Sequence, residues 1–166
     1  GPGQDVNNFV GHGMFDPSFR WDDLKHFRDL WPRKLLLKGV LRADDAERAA
    51  ALGVDGLVLS NHGGRQLDSA ISGIDALPEV ARAVGGRVSL LVDGGVRRGS
   101  DIAKAIALGA EGVLLGRAPV YGLAAGGAAG VTRAIEILAD EFDRTLALTG
   151  CRNVAELTPD LIAKSA

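Results

Sequence analysis

The chain has 166 residues, 46% of them hydrophobic and 24% charged, with a formal net charge of −2. That balance is normal for a globular domain with its own core, and it excludes a nucleic-acid surface or a polybasic membrane patch. A single cysteine, Cys151, excludes an internal disulfide framework and points to a reducing, cytoplasmic setting.

Residues 1–13 open on Gly1-Pro2-Gly3 without an initiator methionine or a secretory signal, and are read as a tail or as the remnant of a break or cloning scar. Residues 14–166 carry the fold. Trp21–Leu30 has an amphipathic helical pattern and ends before Pro32. Four apolar runs follow, Leu35–Val40, Gly56–Ser60, Val88–Val92 and Gly112–Leu115, rich in Leu and Val without clean alternation. Such runs suit strands buried on both faces. No apolar run reaches the roughly 20 residues that span a bilayer.

Helical patterns separate the strands. Asp44–Leu52 places Ala46, Ala49, Ala50 and Leu52 on one side and stops at Gly53. Ile74–Val84 is a second crossover, with Pro78 tolerable near its first turn. Ser100–Leu108 has Ser100 as candidate N-cap, turns Ile102, Ala105 and Ile106 inward and stops at Gly109. The glycines at 122, 126, 127 and 130 read as a loose loop leading into a long helix, Val131–Leu148. A last short helix is expected over Ala155–Ala163.

Strand and helix alternating four times imply parallel pairing with right-handed crossovers. An internal repeat sharpens the reading. Ala51-Leu52-Gly53-Val54-Asp55-Gly56-Leu57-Val58-Leu59 recurs 56 residues later as Ala107-Leu108-Gly109-Ala110-Glu111-Gly112-Val113-Leu114-Leu115. Each copy is a helix end, a reversing glycine and a buried strand. The fold class is therefore α/β, with about four βα units, half of a (β/α)8 barrel.

Polar residues and glycines gather at the C-terminal ends of the strands, where such barrels assemble their sites. Lys38 sits inside an apolar strand, where a charge is costly unless paired. It either supplies positive charge beside an electron-rich group or snorkels to an exposed rim. His62, at the end of a strand and followed by Gly63-Gly64, suits general-base work, or is a loop histidine held by a backbone hydrogen bond. Arg65 can fork onto a carboxylate. Gly94-Gly95, the free N–H groups of the Ser100 helix, Arg97 and Arg117 suggest phosphate binding; the alternative is tight turns with solvated arginines. His12 lies in the tail and His26 on the first helix, so the three histidines and one cysteine form no metal site. Neither a G-x-S-x-G elbow, a P-loop nor a dinucleotide fingerprint is present.

Leu37-Lys38-Gly39, the string from Ser60 to Asp68 (SNHGGRQLD), Asp93-Gly94-Gly95-Val96-Arg97-Arg98-Gly99 and Leu115-Gly116-Arg117 closely resemble the FMN-dependent α-hydroxy acid oxidases and dehydrogenases. That family includes glycolate oxidase, lactate oxidase and mandelate dehydrogenase. The resemblance runs from about Ser18 to Leu157, and Arg28-Asp29-Leu30-Trp31-Pro32 and Asp143–Ala147 are nearest the mandelate dehydrogenase branch. It implies the C-terminal half of a TIM barrel that oxidises a 2-hydroxy acid with FMN. His62 is then the base, Arg65 the clamp on the substrate carboxylate, and Lys38 the cation that stabilises the reduced flavin. Ser60 bonds the ring, while Asp93, Gly94, Gly95, Val96, Arg97, Gly116 and Arg117 hold the ribityl chain and phosphate.

The family's first four βα units have no counterpart here, nor does the segment by which some members attach to membranes. Two readings follow: one half of a working enzyme partnered by the N-terminal half, or a non-catalytic half-barrel that self-associates as a homo-oligomer and at most binds FMN or phosphate. A different phosphate-binding barrel is disfavoured by the histidine–arginine string. The hydroxy acid's side chain and the electron acceptor are not encoded in these motifs.

Overall fold

The computed structural model describes residues 16–163, so the tail read over residues 1–13, with His12, lies outside the described residues. The chain divides into two compact units, one up to Arg33 and one from Lys34 onward. In the first, helix α1 spans Trp21–Leu30, with Asp22 and Asp23 in its first turn and Arg28 in its last, charges that complement the helix dipole. The Arg28 guanidinium closes the C-terminal end by donating to the Trp31 and Arg33 carbonyls. Phe19 and Phe27 stack at 6.1 Å, and His26 is exposed.

The second unit is a four-stranded parallel sheet in sequential order: β1 Leu36–Val40, β2 Gly56–Leu59, β3 Ser89–Asp93 and β4 Gly112–Leu114. Between them run α2 Ala43–Ala51, α3 Gly73–Val84 and α4 Gly99–Ala107. This is the expected half of a (β/α)8 barrel. Every residue of β2 is buried, and Leu57 and Leu59 are wholly so. Burial of a Leu or Val side chain stabilises by about 1.5–3 kcal/mol, so β2 anchors the sheet. The outer strands are less covered: Leu36 of β1 and Leu114 of β4 are exposed. Among the described residues, β1 and β4 each pair on one side only.

The repeat is one joint built twice. Gly53 and Gly109 adopt φ of 83° and 109°, accessible to glycine without strain. Two residues on, the Asp55 amide donates to the Leu35 carbonyl (2.9 Å) and the Glu111 amide to the Leu90 carbonyl (2.8 Å). Each joint thus starts the pairing of a new strand with the one before it.

Four local expectations need correction. Ser100 does not cap α4: the helix begins at Gly99, behind Arg98. Its packed face is carried by Ala103, Ala105 and Ala107, with Ile106 against the cluster of Ala103, Ala107, Cys151 and Leu157. In α3, which starts at Gly73 behind a Ser72 cap, Pro78 falls in the second turn rather than near the first. The glycine-rich stretch is helical too. Helix α5 spans Arg117–Thr149 and is interrupted at Gly126–Gly127, where Gly127 has φ 58°. A Cβ on Gly122 would collide with the Gly130 carbonyl, and one on Gly130 with that of Gly122. The glycines therefore let the two helical arms cross in backbone contact. Finally, Ala155–Ala163 forms two 3-10 turns, Val154–Glu156 and Pro159–Leu161. Pro159 lacks an N–H and disfavours a helical Thr158, which is extended at φ −125°.

The crossing makes a direct prediction. Gly122→Ala should destabilise the protein by about 1–3 kcal/mol through overpacking, read as a lower denaturation midpoint; an unchanged midpoint would show that the arms can separate freely.

Candidate active site

Parallel register sets the C-terminal ends of β1, β2 and β3 side by side, with Lys38 opposite Val58 and Val58 opposite Leu91. Strand β1 has an irregularity at Gly39, whose φ of 102° breaks the register between Lys38 and Val40. The Lys38 ammonium donates to Ser60 Oγ at 2.9 Å and pairs with Asp93 Oδ2 at 2.9 Å. Ser60, immediately after β2, is 1% exposed and is the buried polar residue of the core. Its Oγ also accepts from the His62 amide at 3.0 Å. One hydroxyl therefore links the lysine of β1 to the backbone of the histidine that follows β2.

The other Asp93 oxygen, Oδ1, is buried and has no hydrogen-bond partner among the described residues. A buried acceptor left unpaired costs about 1–3 kcal/mol, a penalty that a ligand hydroxyl donating to it would remove. The site thus contains both a held cation and an acceptor ready for a donor.

His62 itself adopts φ 57°, unusual for a residue with a Cβ. The following glycines continue the left-handed turn at φ 73° and 71°, and Asn61 Oδ1 accepts from the Gly64 amide at 3.0 Å. The imidazole lies over Gly39: a Cβ there would stand 2.9 Å from His62 Nε2. Gly39 accordingly makes room for the histidine, while Ser60 holds its amide and Asn61 holds the Gly64 amide that closes its turn. The Asn61 turn is the contribution that motif reading missed, although Asn before a glycine pair is a usable turn signal.

The remaining site residues share this edge without joining the Lys38–Asp93–Ser60–His62 group. Arg65, Gly94, Gly95, Arg97, Gly116 and Arg117 are exposed, as is His62, and Val96 is half-buried. Gly94 and Gly95 have φ of 88° and 80°, so the loop after β3 turns with its backbone bare of side chains. Among the described residues, the guanidinium groups of Arg65, Arg97 and Arg117 form no ion pair.

The phosphate expectation narrows at the N-terminus of α4. Asp101 Oδ2 accepts from the Arg97 and Arg98 amides at 2.9 and 3.0 Å, so these two N–H groups are taken. Glu141 Oε2, from α5, accepts from the Gly99 amide at 3.0 Å, while Glu141 Oε1 takes the Arg98 guanidinium at 2.8 Å. Two carboxylates thus occupy the Arg97, Arg98 and Gly99 amides, and the Gly94–Gly95 backbone and the unpaired arginines stand as donors toward an anion. The Gly99 amide, then the Arg98 guanidinium, holds the Glu141 carboxyl below its ordinary value of 4.5.

A model of FMN-dependent dehydrogenases matches residues 3–164. The chain is 49% identical to an L-lactate dehydrogenase of Caulobacter vibrioides over 166 residues, covering 99% of this chain and 43% of that protein. It is 55% identical to an (S)-mandelate dehydrogenase of Pseudomonas putida over 149 residues, covering 90% and 37%. The crystal structure of a monotopic membrane protein, (S)-mandelate dehydrogenase, superposes with a TM-score of 0.89 at 51% identity, over 94% of this chain and 41% of that one. The chain thus spans less than half the length of these relatives.

The closed helix end has a pH signature. Because Glu141 is depressed in the folded state, its contribution to stability is full above about pH 4.5 and is lost as pH falls through that value toward the folded one. Acid unfolding curves of the wild type and Glu141→Gln should converge as pH drops below about 4.5; curves that stay parallel would remove Glu141 from the linkage.

Proposed function

The chain belongs to the FMN-dependent dehydrogenase family, and from that premise we propose that it forms part of a (β/α)8 enzyme that oxidises a 2-hydroxy acid to the 2-oxo acid. The observation that carries the proposal is the Lys38–Asp93 pair with its unpaired Asp93 oxygen, beside a histidine held at the neighbouring strand end. These residues fit FMN. The orphaned Asp93 Oδ1 suits a ribityl hydroxyl, and the open Gly94–Gly95 turn with Arg97, Gly116 and Arg117 suits a phosphate. Val96 lies in the same turn. Ser60, which accepts from the Lys38 ammonium, would bond the ring edge, and that ammonium would stabilise negative charge on a reduced ring. When bound, FMN supplies the two-electron acceptor for the hydroxyl-bearing carbon.

The chain's own residues do the rest. Arg65 clamps the substrate carboxylate through its planar fork. His62 takes a proton from the clamped substrate, its imidazole carried by the turn that Ser60 and Asn61 hold. Relatives named for lactate and for mandelate lie at similar identity, so the hydroxy acid is assigned only as a class. No helix among the described residues is long and apolar enough to cross a membrane. A cytoplasmic protein, with peripheral membrane attachment through a segment outside this chain, is consistent with the monotopic relative.

A second reading, a homo-oligomer without turnover, draws on the one-sided pairing of β1 and β4. Two such sheets could close on each other edge to edge, since a parallel strand edge offers a row of unpaired amides and carbonyls.

Anaerobic mixing of the natural full-length protein, loaded with FMN, and an (S)-2-hydroxy acid separates the readings. Loss of flavin absorbance supports the enzyme; a bound flavin that never bleaches, in a homo-oligomer by sedimentation, supports the second reading. His62→Ala should retain flavin while bleaching slows by about 10²–10⁴-fold; near-normal bleaching would remove His62 as the base. Arg65→Met should raise KM for the hydroxy acid by about 10–100-fold, and an unchanged KM would sink the clamp.

A further inference from the structure

We propose that Glu141 is a positioning residue for the Gly94–Arg98 loop and sets its affinity for the phosphate of FMN, an inference that rests on the flavin reading above. Glu141 lies on α5, 42 residues beyond the glycine it binds. It touches the base of the loop rather than the ligand side.

The argument starts from two adjacent arginines. Arg97 and Arg98 are chemically alike, yet the structure treats them differently. The Arg98 guanidinium is held at 2.8 Å by Glu141 Oε1. That of Arg97 has no carboxylate partner among the described residues. Glu141 therefore neutralises one of the two cations and leaves the other for an incoming anion.

The same carboxylate fixes the backbone. Asp101 takes the amides of Arg97 and Arg98, and Glu141 takes that of Gly99, so three consecutive N–H groups are pinned by two acids. The close approach is built into the sequence, since a Cβ on Gly99 would collide with the backbone of Glu141 and Phe142. The loop is thus clamped at its exit while its glycine turn stays bare. Loss of the clamp leaves the Gly99 amide unpaired and lets the loop exit shift, which moves the Gly94–Gly95 amides and Arg97 away from the phosphate. Contacts to the ring at Lys38 and Ser60 come from other strands and are unaffected.

Glutamine at position 141 keeps the shape but has one acceptor oxygen for two donors, so one of Gly99 and Arg98 must face an amide NH₂. The test is the dissociation constant of FMN and of riboflavin, which lacks the phosphate, for the flavin-free full-length wild type and Glu141→Gln. FMN should bind about ten-fold or more weakly to the variant, while riboflavin changes by less than about two-fold. An equal loss for both flavins would make Glu141 merely structural, and no loss for FMN would equally overturn the proposal. Should Glu141→Gln fail to fold, Arg98→Met removes one arm of the clamp and must show the same FMN-selective loss, or the proposal falls. A wild type that binds neither flavin refutes the flavin reading itself, whereas a wild type that binds FMN with an indifferent variant refutes only the role of Glu141.

Discussion

Parallel, in-sequence pairing is the constraint on which this structure rests. It sets the ends of β1, β2 and β3 next to one another, and the Lys38 ammonium spans the gap by reaching Ser60 and Asp93 together. An ammonium on this rim is half exposed and gains little from a single partner. Its importance is geometric, because it joins a hydroxyl and a carboxylate that come from different strands. With Ser60 committed to Lys38 on one side and to the His62 amide on the other, the backbone of the histidine is tied to the lysine of the preceding strand. The buried Ser60 hydroxyl is the joint through which the three are connected.

The core itself is uneven. Strand β2 is covered on both faces, and α3 packs Leu77, Val80 and Val84 beside it, whereas β1 and β4 keep apolar side chains in contact with solvent. The turn that carries His62 therefore grows out of the most deeply buried strand of the sheet. A loop carrying a left-handed histidine needs such a base, since its backbone strain of roughly 1–3 kcal/mol must be offset elsewhere.

Much of this was legible in the sequence because the signals are local. Strings of Leu and Val marked all four strands, and Gly53 and Gly109 marked helix ends where the backbone is left-handed. The signature strings at Lys38, Ser60–Arg65 and Asp93–Arg97 placed the candidate residues on one edge. What escaped depended on contacts across long separations. Gly122 and Gly130 looked like loop residues, since their helical role exists only where two arms touch. Ser100 looked like a cap, but the acids that close α4 are Asp101 within it and Glu141 far along the chain. Nothing near Gly99 announces Glu141. The pairing of Lys38 with Asp93 likewise needed the register before it could be seen.

The doubled joint at Gly53–Asp55 and Gly109–Glu111 divides the molecule into interchangeable segments. Each joint contains a complete set of instructions for reversing the chain and zipping the next strand to its predecessor, and neither touches the residues at the opposite strand ends. Recombination between relatives at these two glycines would exchange whole strand-and-loop cassettes while conserving the reading frame of the sheet. The fold thereby offers natural crossover points, through which the loops at the opposite strand ends could be inherited independently of the scaffold that carries them.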